Sequence, residues 1–392
     1  MFLTKKRGAK RTRRYIMYLL GFILAISVAL PAYLQSNFLR QYISLGMVSA
    51  FFVLANSATV LMIALFPKLI HKLGNYFSAK LLIIIYAASL VGLAASTGII
   101  SAITTLLLFI ITSNLLWINI DILLESVSAD SKTGRIRTVY LTIMNLGWII
   151  SPTISAFLVE IGDYPLAFLA AAFMALPLFF IIINQHHNLK DSSKYHKESI
   201  LKSFRKMWKS RNLRGIFIAA IALNLFFSGA VIYIPIYLHQ TLGIDWAQLG
   251  WIFSFMLLPF IIFEIPAGII ADNYLGEKEM LILGLLIIFL SLILFSTIKS
   301  PLPWIWAFAL FFSRVGAALV EAMRDSYFFK NVSARDIGFI NIFRITGPLG
   351  YVIGASIASL MLIILPINYI FLVFAGFLLP VFYFVALIKD TK

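Results

Sequence analysis

The sequence predicts an all-α membrane protein of twelve transmembrane helices, in two pseudo-symmetric six-helix bundles, with both termini cytoplasmic. Three observations lead there. Hydrophobic residues make up 61% of the 392 and charged residues only 12%, with a mean hydropathy of +0.96. A water-soluble domain carries about a quarter charged residues. Twelve apolar runs are long enough to cross the hydrocarbon core, which takes about 20 residues at 1.5 Å each. The Lys and Arg residues gather in alternate connections, as positive-inside sorting requires.

The apolar runs, numbered as spans one to twelve, are Tyr15–Leu34, Ile43–Phe66, Ala79–Ser96, Ala102–Val127, Val139–Val159, Leu166–Ile183, Ile216–Leu238, Leu249–Ile270, Met280–Ile298, Trp304–Ala322, Ile337–Ile364 and Ile367–Leu387. Each is expected to cross as a helix, because only a helix satisfies its own backbone polar groups in lipid. The shortest separations fall near Thr97–Ser101 and Pro366. They divide runs too long to be single helices.

Of the 32 Lys and Arg residues, 28 fall in the two tails and the even-numbered connections. The opposite connections hold only Arg40 and Lys299, and Arg314 and Arg344 lie within spans. This split accounts for the net charge of +16 without nucleic acid as a partner. The expected organisation is a basic tail (1–14), a first bundle (15–184), a cytoplasmic central loop (185–214), a second bundle (215–388) and a short tail (389–392). The loop contains Lys202 to Lys209, whose alternation of basic and aromatic residues suits a helix at the membrane interface. Anionic lipid headgroups are the expected partner of these basic segments.

The chain has no cysteine, which removes disulfide and thiol chemistry. It shows no His/Asp/Glu spacing suited to a metal, no nucleophile motif and no phosphate-cradling loop. An enzyme is therefore not expected, and neither a metal nor a cofactor is.

The halves echo each other at an offset of 196 residues. Glu125 matches Glu321, Asn145 matches Asn341 and Pro152 matches Pro348. Polar marks at equivalent places are what a duplicated six-helix unit leaves behind.

The stretches after spans two and eight carry a resemblance to the major facilitator superfamily. That family has the signature Gly-x-x-x-Asp-x-x-Gly, followed by basic residues, at both places. The second copy here runs from Gly268 through Asp272 to Gly276, one residue longer than the pattern. The first keeps the spacing and ends at Gly74, with Pro67 and His71 in place of the Gly and Asp. Span five resembles the family's antiporters, with Gly147, Ser151 and Pro152 where those carry Gly-x-x-x-Gly-Pro. Gly347 and Pro348 stand correspondingly in span eleven. Close helix packing is the other reading of these small residues.

The resemblance implies an alternating-access secondary transporter, a monomer in a prokaryotic plasma membrane. It also implies that spans one, four, seven and ten line the cavity. The antiporter-like span further implies proton-linked export of an amphipathic compound. The alternative is a non-transporting sensor or scaffold that kept the fold. Latch roles at His71, Gly74, Gly268, Asp272 and Gly276 follow from the same resemblance.

The candidate site residues come from charge and depth. A charge at mid-membrane costs at least about 2.5–3.5 kcal/mol, so such residues face water or a partner. Asn114, Trp117, Asp121 and Glu125 share one face of span four. Arg314, Ala317, Glu321 and Arg324 form a matching stripe on span ten. By depth, Arg314, Asn114, Trp117 and Asn224 are expected to contact solute, and Asp121 to take up a proton. Interhelical hydrogen bonding is the other reading for Asn114 and Asn224, and packing for Trp117. Glu125, Glu321, Arg324 and Asp325 lie nearer the cytoplasmic end and suit gating. Glu264 and Arg344 are expected to pair there.

Overall fold

The computed structural model describes residues 2–127, 133–184, 200–332 and 337–389. Within these helices the side chains of residues 2–14, 124–127, 133–138, 200–201, 272 and 337–338 are not described. The described residues are helical apart from short turns.

Ten of the described helices are long and apolar enough to cross a membrane. One of these, Val139–Asn184, has 46 residues. A straight helix of that length would reach about 69 Å, more than twice the hydrocarbon thickness. It breaks at Gly162 and at Asp163, where φ is 54°. Asp163 offsets this left-handed backbone by accepting from the Tyr164 N–H at 2.7 Å, and Pro165 follows. The break separates spans five and six. The helix Ile337–Met361, which carries Arg344, supplies span eleven and brings the total to twelve.

Several boundaries differ from the apolar runs. Span one is continuous with a helix that begins at Phe2, so the basic tail extends it. Span two runs from Leu45 to Leu73 and passes through Pro67. Span eight, Trp246–Ile262, continues as Glu264–Ile270 and a wide π-helical turn at Ala271–Leu275. The expected loops after spans two and eight therefore shrink to single glycines. Gly74 (φ 79°) and Gly276 (φ 101°) reverse the chain directly into spans three and nine. Only glycine takes that backbone without strain. Span seven starts at Arg211, where the Ser210 hydroxyl accepts from the Leu213 N–H, and runs on through π-helical turns to Thr241.

The chain forms two compact units: Met1–Phe38 with Leu61–Tyr195, and Leu39–Val60 with His196–Lys392. The start of span two thus belongs with the second unit, where Ser49 Oγ accepts from Tyr233 Oη at 2.8 Å.

Inside the first unit, Ser27 ties three spans together. Its hydroxyl donates to the Ala171 carbonyl at 2.7 Å and lies 2.9 Å from the Tyr86 hydroxyl. A Cβ on Gly147 would lie 3.0 Å from Ala25 Cβ, so span five presses closely on span one. The second unit repeats this contact between spans eleven and seven, where a Cβ on Gly350 would meet Asn224. Spans nine and ten meet backbone to backbone: a Cβ on Gly316 would sit 2.6 Å from the Gly284 carbonyl oxygen, and one on Gly284 2.8 Å from that of Gly316. Gly316→Ala is expected to cost about 2 kcal/mol, because backbone on both sides leaves nothing to yield. Denaturant titration in mixed micelles reads this, and unchanged stability would mean that the two spans separate freely.

Many large apolar side chains point outward, among them Phe157, Phe173, Phe180, Phe312 and Tyr383. A soluble monomer does not expose such continuous apolar surface. Here it is the face that lipid covers.

Candidate functional site

Span four carries three of its polar residues along one half-buried side. Between Phe109 and Ile120 most side chains are buried, while Asn114, Trp117 and then Asp121 are half-buried along one side. Asn114 Nδ2 donates to the Ile110 carbonyl of its own helix at 2.9 Å. Glu125 completes the stripe in sequence, but its side chain lies outside the described residues.

On span ten, Arg314 is 1% exposed and Ala317 is fully buried. Phe311 and Val315 are half-buried in place of Arg314, and beyond the buried run Gly316–Val320 the expected Glu321 and Arg324 are half-buried together with Ala322 and Asp325. The Arg314 guanidinium lies 4.9 Å from the ring centre of Phe226 and 5.8 Å from that of Phe227, both on span seven of the same unit. Aromatic faces attract a cation through their quadrupole and shield it from lipid. Arg314 thus packs against span seven of its own unit, a contact that the sequence reading did not anticipate. The paired phenylalanines were the missing signal, one turn beyond Asn224.

Asn224 bonds within its own helix and packs against span eleven. Its Nδ2 donates to the Ala220 carbonyl at 2.8 Å, and its Cβ stands where a side chain on Gly350 would go. Gly347 lies just beyond, with Pro348 buried inside span eleven.

Nearer the end of span ten, Arg324 NH2 meets Glu321 Oε1 at 3.4 Å and Arg324 Nε meets Asp325 Oδ1 at 3.2 Å. Its guanidinium also lies 5.6 Å from the Phe343 ring. Glu264 of span eight joins this group. It feels the charges of Glu321, Asp325 and Arg324, which makes a cluster of three carboxylates and one guanidinium. The short turn to Glu264 brings the acid against span ten, and Arg344 is half-buried on span eleven.

The chain reversals hold contacts that the sequence reading missed. After Gly74, Asn75 is buried and its Oδ1 accepts from Asn119 Nδ2 of span four at 2.6 Å. After Gly276, Glu277 is buried and its Oε1 meets Lys330 Nζ of span ten at 2.5 Å. The two reversals thus fasten their following spans differently, one by neutral amides and one by an ion pair. A polar residue directly after each glycine was the available signal. His71 is exposed, and Gly268 has nothing within 4 Å of where a Cβ would stand. Packing does not demand a glycine at 268. The Asp272 side chain lies outside the described residues.

Comparison with known proteins follows this geometry. The sequence profile described as Major Facilitator Superfamily matches residues 14–250 and 237–392. The chain belongs to that superfamily. Similar proteins include an uncharacterized MFS-type transporter of an Enterobacter strain, 23% identical over 67% of this chain and 68% of the relative. The uncharacterized MFS-type transporter YcaD of Escherichia fergusonii is also 23% identical, over 74% of this chain and 75% of its own. Among solved structures, the nucleoside transporter NupG aligns with a TM-score of 0.75 at 16% identity, covering 96% of this chain and all of that one. The likeness to NupG is one of fold. With its family fixed, this multi-pass membrane protein is a transporter and not an enzyme.

Proposed function

We propose that the chain moves a small solute by proton-linked alternating access, with Asp121 as the proton carrier. The half-buried stripe of Asn114, Trp117 and Asp121 on span four carries this reading. An acid kept at this depth in an apolar helix is expensive, and a proton-taking role gives it a use. Trp117 and Asn114, one and two turns away on the same side, supply an indole and an amide for solute. Arg314 and Asn224 join the site only if span seven releases them. Glu264, Glu321, Arg324 and Asp325 are proposed to gate, with the Glu277–Lys330 contact as a latch. Export of an amphipathic compound is the proposed direction. It rests on span five, whose Gly147 and Ser151 also serve packing against span one, at Ala25 and at the Ile26 carbonyl. Flux is therefore to be read both ways.

The distribution of basic residues supports cytoplasmic termini, the bacterial relatives support a prokaryotic inner membrane, and a monomer is the proposed state. The cysteine-free chain allows a direct check by single substitutions. Lys202→Cys is expected to react with an impermeant maleimide only from the cytoplasmic side, and Thr241→Cys only from outside. The reverse pattern at either position overturns the orientation.

The transport test begins with a thermal-shift screen of purified protein, since a compound that binds the folded state raises its apparent stability. Compounds that do so are then offered to proteoliposomes loaded with a pH-sensitive dye. Wild type should couple solute movement to internal pH. Asp121→Asn should keep solute binding but lose the pH dependence, because an amide does not titrate in this range. A pH response retained in Asp121→Asn removes Asp121 from the mechanism. Binding without any flux would favour the sensor reading.

A further inference from the structure

The helix Ile200–Lys209 lies between the two bundles in sequence and has three distinct sides. Ser203 and Met207, one turn apart, are buried. Met207 packs with Phe217 of span seven and Ile342 of span eleven. The next residues round, Phe204 and Trp208, stack on each other at 5.6 Å yet remain 37% and 42% exposed. Both also meet the Phe217 ring edge-on. The remaining arc is basic: Lys202, Arg205, Lys206 and Lys209 are all exposed, and the helix contains no acid.

We propose that this helix is a docking surface for anionic phospholipid, its aromatic flank in the acyl boundary and its basic arc on the headgroup phosphates. Placement favours a bilayer over a soluble acidic partner. Only Ser210 separates the helix from the first residue of span seven, so it stays at the level of the membrane surface. Its docking on spans seven and eleven fixes its rotation, so the two flanks cannot turn away. An exposed Phe–Trp stack beside four cations matches an interfacial helix, in which apolar burial and phosphate attraction act together. The charges select phosphatidylglycerol over phosphatidylcholine, because the aromatic flank enters either lipid equally. Anchoring there would hold the segment that joins the bundles. This inference needs membrane embedding only, so its failure leaves the transport reading untouched.

Two measurements on the full chain test it. A nitrobenzoxadiazole label on Phe204→Cys should be quenched by lipids with a doxyl group on the acyl chain, and one on Lys209→Cys should not. In nanodiscs, adding phosphatidylglycerol to phosphatidylcholine should raise the thermal midpoint. The triple variant Lys202→Gln/Arg205→Gln/Lys209→Gln should lose that increment, as should wild type in high salt. Each neutralisation should weaken lipid retention about fivefold. Native mass spectrometry reads retention directly, even where a variant is less stable. An unquenched label at position 204, or a triple variant that keeps wild-type phosphatidylglycerol retention, overturns the proposal. An increment insensitive to salt does so as well.

Discussion

Lys330→Met is expected to lower the unfolding stability by about 3 kcal/mol, the low end for breaking a buried ion pair. Glu277 carries the argument. Its side chain is 2% exposed, and Lys330 Nζ stands 2.5 Å from its Oε1. Removing the ammonium takes its charged partner from a buried carboxylate at the start of span nine. Lys330 is 43% exposed, so some water reaches the vacated space and moderates the loss. Glu277→Met/Lys330→Met should recover most of the stability, since two apolar side chains remove the buried charge along with its partner. The test is denaturant titration in mixed micelles for both single variants and the double. A single variant within about 0.5 kcal/mol of wild type would show that the pair is not coupled to folding. Transport measured beside stability separates a latch from a brace. A latch variant still folds at low temperature but switches at a changed rate.

That contact also shows what the sequence exposed and what it hid. Span number and order were legible because lipid imposes a simple rule: about 20 apolar residues per crossing. The glycine reversals were legible as glycines, but their geometry was not. A segment such as Pro67–Gly74 reads as a loop because it is polar and contains proline. In the structure span two carries its helix through Pro67 to Leu73, so the signature residues sit on helical turns. Partners across spans were harder still. Asn75 and Asn119 are 44 residues apart, and Glu277 and Lys330 are 53 apart. Helical periodicity gives the face of a residue within about one residue's rotation. On span ten that margin separates the half-buried Val315 from the buried Arg314. On span four the stripe fell on the half-buried side because three polar residues shared it. On span ten one charge dominated the reading, and its aromatic neighbours on span seven took it inward.

Arg314 supplies the last expected result. Arg314→Met should leave the stability of the solute-free chain within about 1 kcal/mol of wild type, yet weaken solute binding at least about thirtyfold. The first half follows from opposing terms. A guanidinium at mid-membrane costs at least about 2.5 kcal/mol on insertion scales. Stacking on a desolvated ring returns about 2 kcal/mol, and Phe226 and Phe227 both lie within reach at 4.9 and 5.8 Å. Methionine fills similar length and keeps favourable contact with aromatic rings. The second half rests on the proposed site. A permanent charge held by soft aromatic contacts can be handed to an anionic group of the solute when span seven shifts, whereas a methionine offers nothing to such a group. Phe226→Leu should then strengthen binding, because less is lost when the guanidinium leaves its stack. The thermal-shift screen reads both variants against any compound that stabilises wild type. If Arg314→Met binds such a compound as wild type does, Arg314 is a packing residue. The solute site then lies with the half-buried residues of span four. If the variant instead loses several kcal/mol, the aromatic stack is structural, and the site must be sought from Asn114, Trp117 and Asp121 alone.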